Sequence, residues 1–263
     1  MRIKTLSAVK SVKHFWLSVG IGLAACSAWA GPAALAPARA AGRPGLAATP
    51  TNSPIDWSDL GAKATAQYSG DGLAVAVTPS GAVRLRCTFQ KLEGEVTAEG
   101  LWLESTVPGA AIASGAATVP ASRFRVVAEA VGRVGGTMTA LPRSGTASGD
   151  TSRARFARPG LVEEYSVSVD GVRQDFVVAQ APAGAGDLRV ELALSGARAE
   201  AVAGGAQLVL DGSGRKLAYS RLQVVDATGR ELAARMAVIL VGDEVTSLKL
   251  RGESSKRAGE QSL

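Results

Sequence analysis

Residue types that could perform catalysis or bind metals are scarce in this 263-residue chain. Its one histidine, His14, and one of its two cysteines, Cys26, lie within the first thirty residues. If that segment is removed, the rest of the chain has no imidazole and a single thiol, Cys87. The usual general base, the commonest metal ligand and the Ser–His and Cys–His nucleophile pairs are then all missing. We therefore expect no catalytic residues, no metal and no cofactor.

Two groups of residues have spacings that could support hydrolysis. Ser213 and Lys216 show the Ser-x-x-Lys spacing of serine–lysine hydrolases, but the Gly-flanked turn around Ser213 predicts an exposed hairpin loop. Glu163 and Glu164, with Asp175 across a predicted hairpin, could supply the acid and base of a glycosidase. Adjacent residues of a strand point to opposite faces, so we interpret these acids as a solvated edge.

Cys87 lies in a segment with the pattern of a half-buried strand. In residues 83–90 (VRLRCTFQ) every odd position is apolar and every even position polar. This alternation predicts that Cys87 is buried on one face with Val83, Leu85 and Phe89. A buried thiol behaves as a small apolar side chain rather than as a nucleophile. The alternative is an intermolecular disulfide.

The elements that would position these residues have the patterns of short antiparallel strands. Residues 188–195 (LRVELALS) alternate in the same way, and Asp170 and Gly171, flanked by valines, predict a two-residue hairpin loop. Residues 230–240 fit both a strand and a helix, and we favour a strand. We predict an all-β protein with an antiparallel, β-sandwich-like fold, built as one large or two small β subdomains.

Composition along the chain predicts its organisation. We expect a signal peptide at 1–30, a flexible leader rich in Ala, Pro and Gly at 31–53, a first β subdomain at 54–141, a linker or loop at 142–152, a second β subdomain at 153–241 and a polar tail at 242–263.

The first thirty residues have the pattern of an export signal. Four basic residues precede an apolar stretch at 15–25, and Ala28 and Ala30 form a small-x-small cleavage site before Gly31. The stretch is too short and too rich in Gly and Ala for a stable membrane span, so we expect no transmembrane segment in the mature chain. The residues at 23–26 (LAAC) also resemble a lipobox, in which Cys26 would be acylated. We favour ordinary cleavage, with a lipid anchor and a retained helix as alternatives.

Charge excludes one class of partner. The first thirty residues hold four of the 29 basic residues and none of the 23 acidic ones, so the remainder carries +2 rather than +6. A nucleic-acid-binding protein would show a basic stripe with interleaved aromatic residues. Since Phe, Trp and Tyr make up only 5% of the chain, we expect no nucleic-acid partner.

Four segments resemble the N-terminal module of large secreted bacterial repeat proteins. They are 158–165 (RPGLVEEY), 170–178 (DGVRQDFVV), 186–192 (GDLRVEL) and 205–214 (GAQLVLDGSG). The resemblance covers about residues 67–236 and implies a β-rich module without catalytic residues, placed before arrays of propeller-like, delta-type or kelch-like repeats. After Met236 such proteins would continue into the repeats, whereas this chain leads into a short charged tail. We therefore expect a truncated, frameshifted or stand-alone copy.

The functional prediction is a non-catalytic, exported structural or interaction module. It would act outside the cell or at its outer surface, with the periplasm as an alternative, in an adhesion-like role with a protein or a surface polysaccharide as partner. A carbohydrate-binding or carbohydrate-processing exoprotein is the first rival, and Trp57, Trp102 and Tyr68 gathered beside paired acids would support it. The second rival is an envelope lipoprotein anchored at Cys26.

Overall fold

The computed structural model describes residues 15–23, 57–107, 122–241 and 244–252. These residues form two large antiparallel sheets that pack face to face, together with an α-helix, α1 (Trp57–Gln67), and a short 3-10 helix (Thr88–Gln90). The predicted all-β, sandwich-like fold is confirmed.

The strands are numbered in chain order, and several neighbours within each sheet come from distant parts of the chain. In spatial order the first sheet contains β13 (Ala197–Val202), β14 (Gly205–Leu210), β15 (Lys216–Val225), β1 (Phe15–Leu23), β11 (Gly171–Val178), β10 (Leu161–Ser168), β9 (Ala154–Arg158) and β8 (Thr146–Gly149), with β16 (Glu231–Leu232) paired to β15. The second sheet contains β17 (Ala234–Val241), β18 (Glu244–Gly252), β12 (Leu188–Ser195), β6 (Arg123–Arg133), β5 (Gly100–Ser105), β4 (Leu92–Thr97), β3 (Val83–Cys87) and β2 (Leu73–Val77), with β7 (Met138–Ala140) paired to β6.

One hydrophobic core lies between the two sheets. Alternate residues supply it in strands such as β12 and β3, and in β3 Val83, Leu85 and Cys87 are buried while the two arginines between them are exposed, as predicted. Phe156 and Phe176 of the first sheet belong to the same continuous cluster. Because residues from both halves of the chain share this cluster, the described residues pack as one unit.

Strand pairing crosses the boundary that composition suggested. Residues 142–152, expected to be a linker, contain strand β8, which pairs with β9. Strand β12 from the second half pairs with β6 from the first half. Long-range pairing of this kind has no local sequence signal, since it depends on which faces must be buried together.

The apolar stretch assigned to an export signal is strand β1 of the first sheet. Its residues pair antiparallel with β11 on one side and with β15 on the other. In Phe15–Leu23 (FWLSVGIGL) every odd position is a large apolar residue, and the even positions after Trp16 are Ser or Gly. This alternation is typical of a strand with one buried face, and it is the signal from which β1 could have been predicted.

The predicted polar tail also contains a strand. Strand β18 lies between β12 and β17, and its Leu248 and Leu250 pair with Leu192 and Val190 of β12. The leucines alternate with charged residues along this strand, which is the pattern of one buried and one solvated face. The average polarity of this segment therefore led to the wrong prediction of a tail without strands.

Two local predictions need correction. Strand β3 ends at Cys87 and continues into the 3-10 helix, so Phe89 is 48% exposed rather than buried with Cys87. Its ring packs edge-on against Tyr68 at 5.0 Å. The β10–β11 hairpin loop is Val169 and Asp170, one residue earlier than predicted, because Ser168 pairs with Gly171.

Helix α1 falls in a segment that was expected to be β structure. It packs on the β10–β11 turn, where the amide of Val169 donates to the Thr65 hydroxyl at 3.1 Å. Gly61 lies so close to Asp170 that a Cβ atom would sit 2.1 Å from its carboxylate. A side chain at this position would therefore require the Asp170 carboxylate to shift. Farther along the chain, Glu231–Leu232 and Ala234–Val241 form β16 and β17, so the favoured strand interpretation of 230–240 is confirmed.

Candidate functional site

Five polar residues form a cluster inside the core of the sandwich. This core cluster consists of Arg158, Glu163, Tyr165, Gln174 and Tyr219, all from the first sheet, and none of them is more than 6% exposed. Glu163 stands at its centre on β10. Its side chain points inward because the strand alternates, so that Leu161, Glu163 and Tyr165 share the buried face.

Both oxygens of Glu163 accept hydrogen bonds. Oε1 accepts from the Arg158 guanidinium and from the backbone amide of Ala128, the latter at 3.1 Å. Oε2 accepts from the Tyr165 hydroxyl at 2.8 Å and from the Gln174 amide at 2.6 Å. Four donors around one carboxylate compensate for its removal from water.

The core cluster also completes the hydrogen bonds of an irregular strand in the opposite sheet. Strand β6 pairs with β5 only near its start, and it bulges at Glu129 where it pairs with β12. The carbonyl of Ala128 accepts from Arg158 at 2.7 Å, and the carbonyl of Val126 accepts from Gln174 at 3.1 Å. Side chains of the first sheet thus replace ladder partners that the second sheet does not provide.

Burial governs the protonation of the core cluster. It raises the pKa of the Glu163 carboxyl, although the Arg158 guanidinium and the other three donors act in the opposite direction. It lowers the pKa of Arg158 for the same reason, since a charged group loses its hydration. The pKa of Tyr165 and that of Tyr219 are raised well above the usual value, first by burial and then by the nearby carboxylate. The arrangement suits a permanent structural contact, because Glu163 is 0% exposed.

The acids singled out from the sequence do not form a hydrolytic pair. Glu164 and Asp175 lie opposite each other on the outer face of the first sheet, whereas Glu163 faces the interior. Glu164 contacts Arg153 and Arg155, each at 2.8 Å, and Asp175 contacts a neighbouring arginine. The interpretation as a solvated edge is wrong, since all three acids are buried and paired with arginine. Opposite faces for the two glutamates were predicted correctly.

A shallow groove of about 520 Å³ lies on the outer face of the second sheet, and we call it the Trp102 groove. Two rows of side chains cross strands β3 to β6 along its floor. One row runs from Arg84 through Glu95 to Trp102, and the other runs from Arg86 through Glu93 and Glu104 to Arg123. At the β2 edge the rows end in alanines, Ala76 and Ala74, which leave this side of the groove open.

Trp102 is held in place by two arginines. The guanidinium carbons of Arg123 and Arg125 lie 4.4 and 4.6 Å from the centre of its ring. Such cation–π contacts fix the ring while leaving it half-buried at the groove surface. Arg86 contacts Glu93 at 3.2 Å, and both side chains are about half exposed, so this ion pair is weak and can rearrange around a ligand.

The remaining residues considered in the sequence lie apart from one another. Tyr68 accepts a hydrogen bond from the Gly72 amide and packs on Phe89, outside the lining of the Trp102 groove. Ser213 lies in the β14–β15 turn, while Lys216 begins β15 and faces Glu200 at 3.9 Å. An exposed hairpin loop was therefore the correct interpretation of the Ser-x-x-Lys spacing.

Cys87 is buried, and its thiol donates to the Ser168 carbonyl at 3.2 Å. Burial raises the pKa of this thiol. The proposed processing residues Cys26, Ala28, Ala30 and Gly31 lie outside the described residues, and so does the side chain of Trp57.

The part of the chain that the structure describes contains no group of three or more His, Cys, Asp or Glu side chains placed to hold a metal ion. No helix among those residues is long and apolar enough to cross a membrane. Comparison of the chain with known protein families, with curated proteins and with solved structures found no match.

The Trp102 groove was not predicted from the sequence. Its signal was present, because the first and last residues of 84–86, 93–95, 102–104 and 123–125 are all arginine, glutamate or tryptophan. Recognising a site would have required the register of four strands, which the alternation alone does not define.

Proposed function

We propose that the protein is an exported, non-catalytic interaction module that binds its partner through the Trp102 groove. The observation that carries the proposal is the contrast between the two clusters of ionisable side chains. The core cluster is sealed and saturated with internal hydrogen bonds, whereas the Trp102 groove presents an aromatic ring and charged groups of both signs to solvent. Groups of the second kind are available for recognition.

The charges of the groove favour an electrically neutral or mixed partner. Its lining contains three arginines and four acids, so neither sign dominates. Rows of alternating donors and acceptors suit a chain that offers both kinds of group at regular intervals. The export pattern of residues 1–30 and the resemblance of residues 158–214 to a secreted module support a location outside the cytoplasm.

A second candidate function is carbohydrate binding, and Trp102 favours it. An indole ring beside arginine and glutamate side chains combines an apolar surface with hydrogen-bonding groups, as the ring faces and hydroxyls of a sugar require. Under this proposal the partner is a surface polysaccharide rather than a protein.

Affinity gel electrophoresis with a panel of neutral and charged bacterial polysaccharides distinguishes the two functions. Carbohydrate binding predicts that a polysaccharide retards the wild-type chain but not a Trp102→Ala variant. Phe89→Ala is the matched control, because it removes an exposed aromatic ring outside the groove lining. If no polysaccharide retards the wild type, a protein partner is favoured. Release of new reducing ends that depends on Glu95 or Glu104 would refute the non-catalytic proposal.

Export is tested separately by mass spectrometry of the chain recovered from cell fractions. A mature N-terminus at Gly31 is expected, and a lipid on Cys26 would favour the lipoprotein alternative. A chain that keeps residues 1–30 and stays in the cytoplasm would refute export.

A further inference from the structure

We infer that the space filled by β1 is an acceptor slot for a strand of a partner protein. The acceptor slot is the gap between β11 and β15, which β1 fills in the unprocessed chain. The inference rests on the proposed function in one respect, namely that export removes residues 1–30. Once they are gone, the sheet lacks a strand in its interior, and a strand from outside restores it.

The backbone of the slot is prepared for a strand on both sides. Residues 15–21 of β1 pair with residues 172–178 of β11, and residues 16–23 pair with residues 217–225 of β15 around a bulge at Arg221. Without β1, both walls would present unpaired amides and carbonyls in the middle of the sheet. Such edges bind a further strand readily, because main-chain hydrogen bonds are then completed on both sides.

The walls are tied together independently of β1. On the buried side, the Tyr219 hydroxyl of β15 donates to the Gln174 side chain of β11 at 3.1 Å. On the outer side, Arg221 of β15 donates to Asp170, in the turn before β11, at 2.8 Å. Both contacts connect elements that lie on opposite sides of the slot. The buried Tyr219–Gln174 contact is the stronger of the two, because the Arg221–Asp170 ion pair is partly exposed, and together they favour walls that stay one strand apart without β1.

The interior beside the slot requires an apolar occupant. Phe176 and Val178 on one wall and Leu217 and Val224 on the other are fully buried. Removing the strand between them would expose this part of the core, and covering it again is favourable. Each sheet has eight strands along its main path when β1 is present. Without β1, the first sheet would have seven strands facing the eight of the second sheet.

The register of β1 defines the chemistry of the occupant. Leu17 pairs with Phe176 on one side and with Val224 on the other, and Ile21 pairs with Val172 and Tyr219. Because paired residues of antiparallel strands share a face, apolar residues are required at the alternate positions of an occupant that pair with these buried wall residues. The partner strand therefore has at least seven residues, with large apolar residues at alternate positions and small residues between them. It runs antiparallel to both walls, as in recognition by strand addition.

A protease cut after folding tests the slot in the full chain. A site-specific protease sequence is inserted between Ala30 and Gly31, the chain is purified and cut, and sub-denaturing urea is added to speed release of the fragment. A fluorescent synthetic peptide of residues 15–23 is then supplied in excess, and its incorporation is measured by polarisation. The control peptide has the same composition in an order that breaks the alternation.

We expect saturable incorporation of the peptide, at least about tenfold tighter than that of the control peptide. Failure of the peptide to incorporate would overturn the inference, whether the slot closes or the cut fragment never leaves. Equal binding of both peptides would also overturn it, because apolar contact without strand register would then suffice.

A pair of introduced cysteines, one on each wall, shows directly whether the empty slot closes. Arg173 and Ser220 both pair with Gly20, so about two strand spacings, roughly 9–10 Å, separate them while the slot is occupied. That distance is too long for a disulfide. In a Cys26→Ser background, an Arg173→Cys, Ser220→Cys variant should remain reduced after cutting and peptide exchange. Rapid disulfide formation after cutting would show that β11 and β15 pair directly, which would refute a preformed slot. An uncleaved N-terminus in cells would refute export and would leave β1 in the slot there, whereas failure of the peptide to bind the cut chain would refute the slot itself, so the two failures are distinguishable.

Discussion

Replacing Glu163 is the sharpest test of how the two sheets are joined. In Glu163→Gln the Arg158 guanidinium, whose side chain is 2% exposed, loses its counter-charge inside the core. Removing one partner of a buried ion pair costs about 3–5 kcal/mol. The new amide group also meets donors from neighbouring side chains, since the carboxylate accepts hydrogen bonds on both oxygens. We expect a loss of about 4 kcal/mol, a large part of the 5–15 kcal/mol stability of a typical domain.

The neighbouring residue supplies a matched control. Glu164 is on the opposite face of the same strand, and its partners Arg153 and Arg155 are nearly half exposed. The Glu164 carboxylate is buried, but its two guanidinium partners stay hydrated when it is neutralised, so Glu164→Gln should lower stability clearly less than Glu163→Gln. Both variants are compared with the wild type by urea unfolding at neutral pH, monitored by circular dichroism. The reasoning is refuted if the two glutamine variants lose similar amounts of stability.

A double variant separates the ion pair from the backbone contacts. Replacing a buried ion pair with apolar residues of similar size is often neutral or stabilising. In Arg158→Met, Glu163→Leu, however, the amide and carbonyl of Ala128 lose their partners, and an unsatisfied buried polar group costs about 1–3 kcal/mol. We expect the double variant to remain less stable than the wild type. Full recovery would show that β6 does not depend on the core cluster.

Three further predictions concern single positions. Cys87 should resist alkylation by iodoacetamide in the folded chain and react after unfolding, because burial raises the pKa of its thiol; rapid labelling in the native state would contradict this. The Asp150 carboxyl should titrate by NMR with a pKa of about 2, because its turn donates hydrogen bonds to it. Since that pKa is depressed, the stabilisation is present above the ordinary value and lost as the pH falls towards 2, and an ordinary pKa would refute the contact. Gly196→Ala should destabilise the protein to urea clearly more than Gly212→Ala. Both glycines have a positive φ, and an alanine in that conformation costs about 1 kcal/mol. Only at Gly196 would the added Cβ also meet backbone, 2.0 Å from the Arg123 carbonyl oxygen. Equal losses would show that the backbone shifts freely there.

Several elements could be predicted because their signal is local. Residues 188–195 alternate over their full length, and β12 has these bounds. The pattern of residues 83–87 correctly placed Cys87 in the core, but its extension to Phe89 was wrong because the chain turns there. Strands β1 and β18 had alternating patterns as well. Strand β1 was missed because the basic residues before it suggested a signal peptide, and β18 was missed because its overall polarity suggested a solvated tail.

The candidate site was less predictable than the fold. The Trp102 groove depends on the register of four strands, and the burial of Glu163 depends on an irregular stretch of β6 more than thirty residues away. Neither follows from spacing along the chain.

By itself, the sequence determined which residues could share a face and where most turns fall, because these properties depend on neighbouring residues. Only the tertiary structure decided that β1 lies between β11 and β15, that β18 lies beside β12, and that Glu163 is buried while charged residues line the Trp102 groove. The physical reason is that a strand's hydrogen bonds and buried face are completed by partners distant in the chain, and the best set of partners is a property of the whole sandwich.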